Sequence, residues 1–267
     1  MKLTTAGESH GKALTGIIEG LPSNLKLNTE EINNLLALRQ SGYGRGARQK
    51  IERDRIEILS GMRNGFTLGS PLAFLIINKD YENWREYMSP ENCDTSKRVL
   101  TRVRPGHADL TGIIKYDQSD ARNVLERASA RETAVRVAAG SVFIQYLRNF
   151  GVEISGYVKN VCGIADESVY TFKEIGKAKS EPLFMLNSEK QEEAMRLLDK
   201  LKEEGDTAGG VIEIRVNGLK SGFGSCMQYS TKLDAILCAA AMSVQAIKGV
   251  EIGLGFKAAN LAGSKVH

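Results

Sequence analysis

The feature that most constrains the fold is residues 129–148, where Ala134, Ala138, Val142 and Tyr146 form one helical row and Val135, Phe143 and Leu147 a second. A helix apolar over so much of its circumference belongs at the centre of a core rather than on a surface. Ser129 with Glu132 has the spacing of a capping box and sets the start of this helix. Asn28 with Glu31 predicts a second helix to about Arg39, Ser188 with Gln191 a third ending near Gly205, and Thr231 a fourth that stops before Gly249.

Between the helices lie strand patterns. Residues 13–20 alternate, and 55–60 with 71–78 suit a hairpin around the Asn64-Gly65 turn signal. Ile212, Ile214 and Val216 alternate with Glu213 and Arg215, the pattern of a strand with one wet face. Strands that alternate irregularly with helices and pair mostly with their neighbours favour an α+β layered fold over a doubly wound parallel sheet. Residues 78–99, with Tyr81, Trp84 and Tyr87, read as a long loop or lid, and no segment reads as a domain linker, so one domain is expected.

Composition narrows the function classes. A net charge of +4 over 267 residues, with 32 acidic and 36 basic side chains interspersed, is not that of a nucleic-acid binder. The four cysteines lack Cys-x-x-Cys pairing and no metal site is expected. A polar N-terminus and a longest apolar run of only 235–241 exclude a signal peptide and a spanning helix, which makes the expected location cytoplasmic.

The chemistry-bearing residues are few. Two of only three histidines, His10 and His107, sit in glycine-flanked turns, where backbone and ligand can approach an imidazole closely. Adjacent Ser9 and His10 are poorly placed to act as nucleophile and base. Around them stand Arg39, Arg45, Arg48, Arg104, Arg127 and Arg131, whose forked donors suit phosphate or carboxylate. The Arg/Gly loop 40–50 fits an oligoanion or a solvated basic loop by composition; an RNA contact is the weaker reading, because 6% aromatic content gives little for base stacking. The helix start at Ser129 is a second anion cradle, or a plain cap.

Five ordered stretches, Ala6-Gly-Glu-Ser-His-Gly11, Tyr43-Gly-Arg-Gly46 with Arg48, Arg104-Pro-Gly-His-Ala-Asp-Leu110, Glu126-Arg-Ala-Ser-Ala-Arg-Glu-Thr133 and 242–253, together resemble the chorismate synthase family across the whole chain. The resemblance implies a layered β-α-β sandwich of antiparallel sheets around central helices, formed as one domain over 1–267. It implies a lyase of aromatic amino acid biosynthesis that eliminates phosphate from 5-enolpyruvylshikimate 3-phosphate with reduced FMN, NADPH entering only in a bifunctional form. His10 and His107 are then catalytic; Arg39, Arg45, Arg48, Arg104 and Arg131 bind the substrate; Arg127, Ala128, Ser129, Gln245 and Ala246 contact the flavin. It further implies a homotetramer without nucleic-acid or membrane partners, and a further C-terminal segment beyond Gly263-Ser-Lys-Val-His267. A catalytically impaired module that binds FMN and anions is the alternative.

Overall fold

The computed structural model describes residues 1–44 and 53–266, which fall into two compact units, Met1–Gly218 and Leu219–His267. In the first unit β1 (Lys2–Ala6), β2 (Ala13–Glu19), β7 (Leu72–Ile77) and β4 (Ile56–Ser60) form an antiparallel sheet in the order β1-β2-β7-β4. A second sheet joins β3 (Ser23–Lys26), β6 (Phe66–Leu68) and β5 (Met62–Arg63), and a third joins β10 (Gly210–Asn217), β8 (Glu153–Val161) and β9 (Ile164–Ala165). All described pairings are antiparallel, the α+β arrangement that the strand pattern predicts.

The helix Thr133–Arg148 is central. Ala134, Val135, Ala138, Ala139 and Val142 are fully buried in one core with Leu14, Ile18, Phe74 and Ile76 of the first sheet and Ile32 and Leu36 of the helix Thr29–Gln40. It touches β1, β2 and β7 of the first sheet and β8 of the third. Gly16 makes the approach possible, because a Cβ there would collide with Phe74 and Val135.

Several local expectations are corrected. Asn64-Gly65 does form a turn with positive φ at both residues, but it closes β5 onto β6, inside the longer connection between the paired β4 and β7. Ser129 accepts from the Arg131 N–H and caps a single 3-10 turn, Ala130–Glu132, while the Glu132 carboxylate goes to Thr5 and Arg136 instead of closing a capping box. Asn187, one residue before the expected cap, starts Ser188–Glu203, and the fourth helix covers only Leu233–Met242. Asn28 caps Thr29–Gln40 as expected.

On β10 the expected faces are inverted. Ile212, Ile214 and Val216 are 61%, 66% and 45% exposed, whereas Glu213 and Arg215 are half-buried over Tyr157. Glu213 is paired with Lys159 and Arg215, so the polar side chains can cover the small Tyr157–Ile175–Ala178 cluster with their stems. In the second unit no described residue is buried; it holds the helix Leu233–Met242 and the 3-10 turns Tyr229–Thr231, Gly255–Asn260 and Gly263–Lys265. No described helix is long and apolar enough to cross a membrane.

Candidate functional site

His10 lies in the loop that carries β1 back into β2, and its imidazole is held on several sides. Its backbone N–H donates to Glu126 Oε2 at 2.9 Å, and Nδ1 stands 2.8 Å from the same oxygen. Nε2 faces Asp80 at 3.9 Å. The Trp84 ring covers one face with its centroid 4.0 Å away and donates its indole N–H to Asp80 at 3.2 Å. Segment 78–99 is thus three single turns, Lys79–Asn83, Arg85–Met88 and Ser96–Arg98, and it places Trp84 on the histidine.

Glu126 is the hub of this arrangement. It sits on the short helix Arg122–Ala128 with its side chain fully buried, and its other oxygen accepts from Arg122 at 3.0 Å. Burial pushes the Glu126 carboxyl up, but hydrogen bonds and charge from His10 and a bond from Arg122 more than offset this and hold it below the usual carboxylate value. The backbone on both sides is tied as well: the Ser9 N–H donates to the Glu126 carbonyl, and Asn78 donates to the carbonyls of Glu8 and Gly11.

Asn78 links this loop to a second buried cluster. Its Oδ1 accepts from Arg131 Nε at 3.0 Å, and Arg131 makes a two-bond fork to Asp54 at 2.6 and 2.8 Å. Arg39 reaches the same carboxylate at 3.5 Å and also donates to Thr133 and Ala130. The structure therefore brings Arg39 and Arg131 together on Asp54. Arg127 is clamped to the end of β1, donating to the Thr5 carbonyl and hydroxyl and to the Gly7 carbonyl. Beside it, Ala128 and Ser129 form the half-exposed break between two helices.

The other histidine turn is built around Asp109. Arg104 donates to it through its backbone N–H, Nε and a terminal nitrogen, at 3.1, 2.9 and 2.9 Å, while His107 at the tip is exposed. The guanidinium bonds hold the Asp109 carboxyl below its usual value, and Arg104 in turn lies within electrostatic reach of Glu126. The ionised Asp109 stabilises the turn above its unfolded pKa of about 3.9, and that contribution is lost as pH falls through the lower folded value. Acid titration followed by the Arg104 amide NMR signal should show the turn opening only below about pH 4; opening between pH 5 and 8 would contradict the pairing.

Arg45 and Arg48 lie outside the described residues. Gln245 and Ala246 belong to the Leu219–His267 unit, where Gln245 is half-buried and Ala246 takes a φ of 69°, a left-handed conformation that costs a non-glycine residue about 1–2 kcal/mol. Sequence reasoning gave no role to Glu126, which opens the 126–133 stretch, or to Asp54, Asn78 and Asp80, the polar groups that hold the named residues. The one available signal was the Arg122/Glu126 spacing on a helix, which ordinarily marks an exposed pair.

A family model described as chorismate synthase matches residues 1–267. A chorismate synthase from Alkaliphilus metalliredigens is 52% identical over 267 residues, covering 100% of this chain and 70% of the relative. One from Geobacter sulfurreducens is 53% identical over 272 residues, covering 100% and 69%. A crystal structure of a chorismate synthase superposes with a TM-score of 0.81 at 42% identity, covering 100% of this chain and 73% of that one.

Proposed function

The chain belongs to the chorismate synthase family, and from that premise we propose that it eliminates phosphate from 5-enolpyruvylshikimate 3-phosphate, using reduced FMN, to give chorismate for aromatic amino acid biosynthesis. The observation that carries the reading is the His10 loop, a glycine-flanked imidazole held between two carboxylates and covered by Trp84. In a 1,4-elimination the carbon–oxygen bond to phosphate breaks, the electron pair leaves with the phosphate, and a ring hydrogen departs as a proton. His10 supplies a proton or positive charge to the departing group, and fixed cations in a site poor in water stabilise the charge that develops.

In this reading His107 and Arg104 supply a second edge of the site; Arg104 is held by Asp109. Arg39, Arg45, Arg48 and Arg131 complete the anion-binding set. Arg39 and Arg131 enter it with Asp54 already bound, so in this reading their first task is to fix the wall of the site. For the flavin, the chemistry of Ala128 and Ser129 fits: half-exposed backbone and a hydroxyl at a break between helices. Arg127 would act by holding β1, since its guanidinium is committed to Thr5 and Gly7. Gln245 and Ala246 would supply further flavin contacts. When bound, reduced flavin supplies the electron density that eases departure of the phosphate.

The reading includes a cytoplasmic homotetramer with no nucleic-acid or membrane partner, and NADPH only in a bifunctional form. The exposed apolar face of Ile154, Ile212, Ile214 and Val216 supports a covered surface in the assembly. The test is an anaerobic titration with reduced FMN and 5-enolpyruvylshikimate 3-phosphate, watched for chorismate absorbance. Chorismate formation, with FMN binding tightened by the substrate, is expected. Binding of both ligands without product would instead assign an impaired FMN- and anion-binding module.

A further inference from the structure

Buried carboxylates are kept where something satisfies them, and the acceptor geometry of Glu126 is more specific than its neighbourhood requires. One oxygen serves both the backbone N–H and Nδ1 of His10, and the other is taken by Arg122, so the carboxylate cannot turn without losing a partner. An ionised carboxylate only accepts hydrogen bonds, which means that a ring nitrogen 2.8 Å away must carry a hydrogen. The opposite nitrogen, Nε2, faces Asp80 at the longer distance of 3.9 Å. Trp84 lies over the ring, and Arg98 and Arg122 lie over Trp84 at 4.0 and 5.0 Å, so the imidazole is stacked in place.

We propose that Glu126 is a positioning residue that keeps a proton on His10 Nδ1 and so confines proton exchange to Nε2. The link to the leaving phosphate rests on the elimination reading above; the tautomer itself does not. Donation breaks the Nε2–H bond, forms an O–H bond on the phosphate and leaves the electron pair on Nε2. The neutral ring that remains keeps its Nδ1–H bond to Glu126, so no ring flip is needed before the next proton arrives. The hydrogen bond at one nitrogen of a histidine sets the chemistry at the other.

The full chain, labelled with 15N in its three histidines, tests this directly. The His10 ring signals are identified by their loss in His10→Ala, and the spectrum is read at a pH where the ring is neutral. The wild type is expected to show the Nδ1–H tautomer. In Glu126→Ala, which removes both carboxylate oxygens, the Nδ1–H preference should be lost. With reduced FMN and substrate, kcat of that variant should fall roughly 10–10⁴-fold, between the loss when a metal-bound histidine is deprived of its outer partner and that when an acid–base histidine is deprived of its carboxylate, with KM changed far less. A neutral wild-type ring protonated on Nε2 overturns the proposal without recourse to any variant, as does an unchanged Nδ1–H tautomer in folded Glu126→Ala. An Nδ1–H ring in a wild type that makes no chorismate would count against the elimination reading and leave the Glu126 assignment standing.

Discussion

Asp54→Ala should lower the unfolding free energy of the chain by about 3–5 kcal/mol, the loss typical when one member of a buried ion pair is removed. The size follows from what is left behind. The Asp54 side chain is 0% exposed and Arg131 is 8% exposed, so the guanidinium would lose both of its carboxylate bonds without gaining water. Arg39 would lose its contact with the same carboxylate. Surface pairs such as Arg55–Glu30, at 64% and 61% exposure, should contribute less than about 1 kcal/mol. Urea denaturation of Asp54→Ala and of Glu30→Ala separates these cases. A cost below about 1 kcal/mol for Asp54→Ala would mean that the pair is effectively solvated. Replacing both partners, as in Asp54→Leu with Arg131→Met, should recover part of the loss, because the Arg131 charge is then no longer stranded while Arg39 still loses its carboxylate.

The same cluster explains what could be read from sequence. The central helix was legible because its apolar rows are local, and so was the Asn28 cap, whose acceptor serves N–H groups two and three residues away. The site's supporting groups were not. Glu126 reaches His10 across 116 positions, Arg131 reaches Asp54 across 77 and Asn78 across 53, distances over which no periodicity carries information. The β10 faces inverted for a related reason: alternation states that a strand has two faces, and the partners of Glu213 and Arg215, supplied by β8 and Tyr170, decide which one is covered. Functional motifs were visible as residue types, while the carboxylates and the amide that aim them became visible only through tertiary pairing.

His10→Ala should slow chorismate formation roughly 10²–10⁴-fold, the usual loss for a positioned acid or base, and His107→Ala should fall in the same range. Their stability effects should differ. His10 is packed under Trp84, and losing an aromatic contact of this kind costs about 0.5–1.5 kcal/mol. Glu126 would still accept from the backbone N–H at position 10 and from Arg122, so its buried charge stays paired and the fold survives. His107 is exposed at the tip of its turn, and the Arg104–Asp109 bonds that shape the turn do not involve its ring, so its removal should leave the melting temperature within a degree or so of wild type. A rate loss in His10→Ala well beyond what the modest destabilisation can explain therefore isolates chemistry from folding. Turnover at the wild-type rate in both variants, measured anaerobically with saturating reduced FMN, would remove the imidazoles from the mechanism and leave the arginines to act by charge alone.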